Sequence, residues 1–178
     1  MQTMIVIRIV LGIFFTFFTS FIIAGFQGIL PVLLDEGAYA NLCGEDELDT
    51  DSEGYCESQL EKLDFMYTLS ISVANVATLP VGLALRETGP MLMCMFGSVL
   101  VAIGAILLAV SSPTFQAWTF GYLFIALGGP AVSFPMFSLP ALVPERAGLI
   151  FSLIVGAFDG SAGVMLIVRL LYDTFGIS

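Results

Sequence analysis

Apolar residues in this chain come in long runs, not in the alternation of a strand or the half-stripe of a soluble helix. Residues 4–34, 65–85, 91–110, 116–137 and 147–171 form five such runs. Each matches or exceeds the roughly 20 apolar residues needed to cross a membrane as a helix. The pattern predicts an all-α fold, a polytopic transmembrane helix bundle of about five spans in a single membrane domain, 1–178. The first run is long enough to tilt or to project past the membrane surface. Arg8 before apolar residues loosely fits a secretory signal, but the run exceeds the apolar core of one and four more runs follow, which favours a true span. Residues 35–64 interrupt the pattern with a polar, acidic loop rich in turn residues. The other connections, "RETGP", "SSPTF" and "PALVPERAG", are short, so neighbouring spans run antiparallel.

Composition agrees. The chain is 58% hydrophobic and 11% charged, whereas a soluble domain is about half apolar and about a quarter charged. The formal charge of −10 is concentrated in 35–64, and the absence of a basic run excludes nucleic acid as a partner. There is no histidine, which excludes imidazole-based metal sites and triads. No Gly-rich phosphate loop, nucleophile elbow or metal cluster is visible, so neither an enzyme nor a cofactor is expected.

Charges also bear on orientation. With the N-terminus cytoplasmic, Arg8, Arg86 and Arg146 lie inside, while Lys62 and Arg169 lie near the other face. That is a weak positive-inside bias. In this orientation the acidic loop is extracellular or lumenal, and Cys43 and Cys56 within it can form a disulfide. Two free thiols on a cytosolic loop is the other reading. Cys94 lies in an apolar run and reads as a small buried residue. The expected location is the plasma membrane or a vacuolar or other endomembrane.

The spans carry more than an anchor needs. The second has Thr68, Ser70, Ser72, Asn75 and Thr78; the third, Gly97 and Gly104; the fourth, Gly121, Gly128, Gly129, Pro130 and Pro135. Small residues let helix backbones approach closely. Prolines bend helices where a neighbour or a cavity satisfies the freed carbonyls. In "GAFDGSAG", residues 156–163, Asp159 stands in mid-span beside Gly156 and Gly160. A carboxylate there must face protein or water, or be protonated. It reads equally as a substrate, ion or proton site and as a side chain hydrogen-bonded to the next helix. Asn75 bonds across helices or contacts a substrate. Gln27 stands where Gly25, Gly28 and Pro31 should loosen the first span. Arg169 reads as an end-of-span anchor with Asp173 as a local partner.

Antiparallel spans, a long first loop and a tight turn after the second span resemble the first half of a major facilitator superfamily transporter. In "PVGLALRETGPM", Gly82 and Gly89 match the superfamily's turn motif; Arg86 stands where its Asp belongs and Met91 where a basic residue belongs. The charged latch is therefore absent or rebuilt with Arg86 and Glu87. The stretches "GILPVLLDEGAYANLC", "LDFMYTLSISVANVATLPVG" and "GAFDGSAGVMLIVRLLYDTFGIS" resemble the large-neutral-amino-acid branch, solute carrier family 43, and its fungal and protist relatives. The resemblance implies sodium-independent, alternating-access transport of a small-molecule substrate, a neutral amino acid. Contacts on the first and fourth spans would make Gln27, Gly128, Gly129 and Ser133 the substrate-binding candidates. It also implies a truncated N-terminal half, one that meets the lipid bilayer and a missing C-terminal half or another membrane chain. The alternative is a non-transporting membrane scaffold or regulatory subunit derived from such a transporter.

Overall fold

The computed structural model describes residues 2–43 and 56–175. Among these residues the fold is all-α, without strands. The helices are α1 (Gln2–Thr19), α2 (Phe26–Asp35), α3 (Glu57–Thr88), α4 (Pro90–Val110), α5 (Trp118–Met136), α6 (Ala147–Gly160) and α7 (Val164–Phe175). Four segments, Glu57–Thr88, Pro90–Val110, Trp118–Leu142 and Pro144–Thr174, are long and apolar enough to cross a membrane. The pair Met4–Thr19 and Ile22–Asp35, bent by 45°, makes a fifth if it is one span. The 21 residues of α4 are about 31 Å long at 1.5 Å per residue, about the thickness of the hydrocarbon core.

Large apolar side chains lie exposed on the perimeter, among them Phe14, Val76, Leu79, Met91 and Phe120. That is the surface a lipid-embedded bundle presents. Glycines bring α4 and α5 together. A Cβ added at Gly104 would lie 2.6 Å from the Gly121 carbonyl oxygen, and one at Gly128 would lie 2.7 Å from that of Gly97. Each pair sits one heptad from the other on antiparallel helices, so the backbones touch along two turns. Elsewhere α3 packs on α5, α1 on α6 and α2 on α7. Phe26, Leu63, Met66 and Tyr122 form the centre of the larger core, and Ile9, Ile150 and Ile154 that of a smaller one.

The second span starts at Glu57, eight residues before the apolar run begins. Glu57, Glu61 and Asp64, expected in the acidic loop, ride instead on the first turns of α3. Negative charge is favourable in the first turn of a helix, so acidity here marks a helix start. The loop residues 44–55 lie outside the described residues. On either side of them Cys43 and Cys56 are disulfide-bonded, with Cα atoms 5.7 Å apart, inside the usual range for such bonds. Polar contacts tie this end together. Buried Gln59 donates from Nε2 to the Ala38 carbonyl at 2.8 Å, and the Tyr39 and Thr119 hydroxyls lie 2.7 Å apart. Gln116 donates to Asn41 at 2.6 Å, and the Tyr172 hydroxyl to Glu36 at 2.9 Å.

At the other end, α3 and α4 are joined through Gly89 alone, at φ +79°. This left-handed conformation favours glycine. Arg86 and Glu87 beside it are exposed and form no ion pair among the described residues. Gly82 stands in α3 with the Phe134 ring at 4.0 Å from where its Cβ would be.

Candidate functional site

Two spans are broken at mid-depth, and the breaks touch. The first stops at Thr19 and resumes through a 3-10 turn, Ile22–Gly25. No proline lies there. The cause is a run of hydroxyls: Thr16 donates to the Gly12 carbonyl at 2.8 Å and Thr19 to that of Phe15 at 2.7 Å. Such back-bonding weakens and bends a helix. Pro31, expected to loosen this span, sits inside α2 without breaking it. The last span breaks at a second 3-10 turn, Ser161–Gly163, between α6 and α7.

At the crossing, the Phe21 N–H donates to Ser161 Oγ at 2.8 Å, and the Ser161 hydroxyl donates to the Phe158 carbonyl at 2.6 Å. The Phe21 and Phe158 rings stack at 5.0 Å. Gly25 abuts the Ala162 backbone; a Cβ there would fall 2.1 Å from its carbonyl oxygen. Freed backbone groups are thus partly satisfied by the other break, which is how non-helical backbone persists at membrane depth.

Beside the crossing lies a cleft of 90 Å³, walled by the first span, α3, α5 and α6. Its polar groups are Ser20, Asn75 and Thr78; its aromatic walls are Phe21, Phe134 and Phe158. Ser20 is 3% exposed, and its hydroxyl has no hydrogen-bond partner. A buried polar atom left unpaired costs about 1–3 kcal/mol, so Ser20 marks the spot. Ala126 and Pro130 also line the cleft. Pro130 has no N–H to give the Ala126 carbonyl one turn earlier. Gly129 closes the floor: a Cβ there would lie 2.4 Å from the Ser20 carbonyl oxygen.

The structure brings Asn75 and Gly129 together at this cleft and places the other candidates elsewhere. Gly128, one residue round the helix, packs on α4. The Ser133 hydroxyl is buried and donates to the Gly129 carbonyl of its own helix at 2.7 Å. Gln27 is exposed in the first turn of α2. Asp159 is exposed, on the far side of α6 from its buried residues Ile150, Ile154 and Ala157. The expected close helix contact beside it is met only at Gly160, whose Cβ would lie 3.1 Å from Phe17; at Gly156 nothing lies within 4 Å. Arg169 and Asp173 form the expected local pair at 3.8 Å. Ser20, Phe21 and Phe158 were not predicted from the sequence. The signal was "TFFTSF", three hydroxyls within five residues of an apolar span.

No protein-family model matches the chain. No solved structure matches it. Among curated proteins it is 35% identical over 161 residues to Protein FMP42 of Saccharomyces cerevisiae, covering 89% of this chain and 31% of that protein. It is 26% identical over 167 residues to Large neutral amino acids transporter small subunit 3 of Homo sapiens, covering 88% and 30%. It is 23% identical over 177 residues to Arginine transporter 1 of Toxoplasma gondii, covering 97% and 33%. The chain spans about a third of the length of these relatives. The apolar helices and the transporter relatives together make it a multi-pass membrane protein.

Proposed function

We propose, with the named amino acid transporters among its relatives as the premise, that this chain is part of a carrier for a small organic solute, a neutral amino acid. It works by alternating access, as a major-facilitator-type protein of the solute carrier 43 kind, with its N-terminus in the cytoplasm. The observation that carries the reading is the mid-membrane cleft at the crossing of two broken spans. Carriers build solute sites near the bilayer midplane from discontinuous helices, because only there does the backbone offer unpaired polar groups to a ligand. Here Ser20 lies midway along Met4–Asp35, and Asp159 midway along Pro144–Thr174. In this reading a further membrane segment, the C-terminal half or another chain, completes the enclosure.

Uptake of radiolabelled leucine by cells producing the protein tests this. Uptake above background, equal with and without sodium and lowered in Asn75→Leu, is expected. Correct membrane insertion without any uptake would favour the non-transporting scaffold instead.

A further inference from the structure

The cleft has an unequal supply of hydrogen-bonding groups. No Lys or Arg lines it. The Phe21 N–H beside it is bound to Ser161. Pro130 contributes no N–H at all. Thr78 donates its hydroxyl proton to the Asn75 carbonyl at 2.7 Å, so its oxygen keeps only acceptor capacity. The Ser20 hydroxyl and the Asn75 amide line the cleft and each can accept as well as donate, and the Ala126 carbonyl, which Pro130 cannot bond, is a further acceptor. Three aromatic rings, Phe21, Phe134 and Phe158, complete the walls. Acceptors and ring faces attract a cation, while an anion would find the Ser20 and Asn75 donors but no positive charge.

Size restricts the ligand further. The cleft holds 90 Å³, against about 300–1,000 Å³ for a pocket that encloses a whole small ligand. It is a headgroup subsite. We propose that this cleft takes the α-ammonium group of the transported amino acid, with Ser20, Thr78, Asn75 and the Ala126 carbonyl as acceptors, and leaves the carboxylate to groups outside it. The inference rests on the transport reading for its substrate. Its chemistry, a primary ammonium in an acceptor cradle, stands by itself.

Ser20→Ala is the discriminating variant. The hydroxyl has no protein partner, so its removal leaves the fold intact, which circular dichroism and the melting temperature verify. The probes are 3-methylbutylammonium, which is leucine without its carboxylate, and 4-methylpentanoate, which is leucine without its amine. The amine is expected to raise the melting temperature of the purified protein and to compete with leucine for uptake; the acid is expected to do neither. Ser20→Ala should weaken the amine and leucine about tenfold, the size of a lost bond to a charged group. If the acid binds and the amine does not, the assignment is overturned. It is also overturned if sodium or potassium displaces the amine at millimolar concentration, since the cleft would then be an alkali-cation site. Amine binding lost in Ser20→Ala, in a protein without leucine uptake, would retain the ammonium subsite and discard the transport reading. Leucine uptake insensitive to the amine would do the reverse. Failure of both would discard both.

Discussion

Gly25 and Ala162 meet backbone to backbone, at the point where the first and last spans cross. A methyl group on Gly25 would fall 2.1 Å from the Ala162 carbonyl oxygen and 2.9 Å from the Met165 Cβ. Neither neighbour is the far end of a flexible side chain. The two breaks hold each other, so their separation sets the width of the cleft beside them.

Gly25→Ala should therefore lower the melting temperature, by overpacking of about 1–3 kcal/mol. Gly156→Ala is the matched control, because nothing lies within 4 Å of its added methyl. Removing a glycine from a helix interior there should be neutral or stabilise by up to about 1 kcal/mol. Equal melting temperatures for the two variants would show that the crossing is looser than described.

The α4–α5 seam makes a second expectation. Gly104 and Gly121 face each other, as do Gly97 and Gly128, with added Cβ atoms 2.6–3.0 Å from the opposing backbone. Gly104→Val cannot be absorbed by a rotamer change and should abolish stable folding. Gly82→Ala, with only the Phe134 ring at 4.0 Å, should fold. Size-exclusion profiles of the two variants in detergent check this. A monodisperse Gly104→Val peak at the wild-type volume and melting temperature would contradict it.

How much of this was legible beforehand depends on what each signal measures. Apolar runs measure membrane burial, so the spans were visible. They say nothing of a helix's polar first turns, which is why Glu57 to Asp64 read as loop. The breaks were half-visible. Gly25 is visible in the sequence, but Pro31, the stronger breaker on paper, is accommodated inside α2, and the hydroxyls of Thr16 and Thr19 act before it. Gly128 and Gly129 were indistinguishable because α5 is buried on several sides. About 100° of helix rotation sends one to α4 and the other to the cleft. Within the hydroxyl run "TFFTSF" nothing in the sequence separates Ser20 from Thr16 and Thr19; only the three-dimensional absence of a partner sets it apart.

The disulfide gives a chemical expectation. Cys43 and Cys56 are bonded across 13 positions, and Cys94 is free. Alkylation of the denatured, unreduced protein should label Cys94 alone. Cys56→Ser should cost about 3 kcal/mol, the loop-closure entropy for a crosslink of this span. It would also loosen the register that places Gln59 against Ala38 and Tyr39 against Thr119. Three labelled cysteines before reduction would refute the bond.

Asp159 separates stability from function. It lies midway along Pro144–Thr174, is exposed, and its carboxylate has no hydrogen bond or ion pair among the described residues. A carboxylate facing hydrocarbon at that depth costs at least about 2.5–3.5 kcal/mol, and no neighbour here offsets it. Replacing it by leucine therefore removes a cost and no contact. Asp159→Leu is expected to keep or raise the melting temperature of this chain. On the exposed side of α6 its carboxylate is open to the further membrane segment proposed above, so uptake should fall in the same variant. Asp173→Leu, at the end of the span with Arg169 as its partner, should change uptake little. A large loss of stability in Asp159→Leu would mean that the carboxylate has a partner within this chain after all. Unchanged uptake would leave it without a role in transport, and the crossing alone would account for the glycines and serine around it.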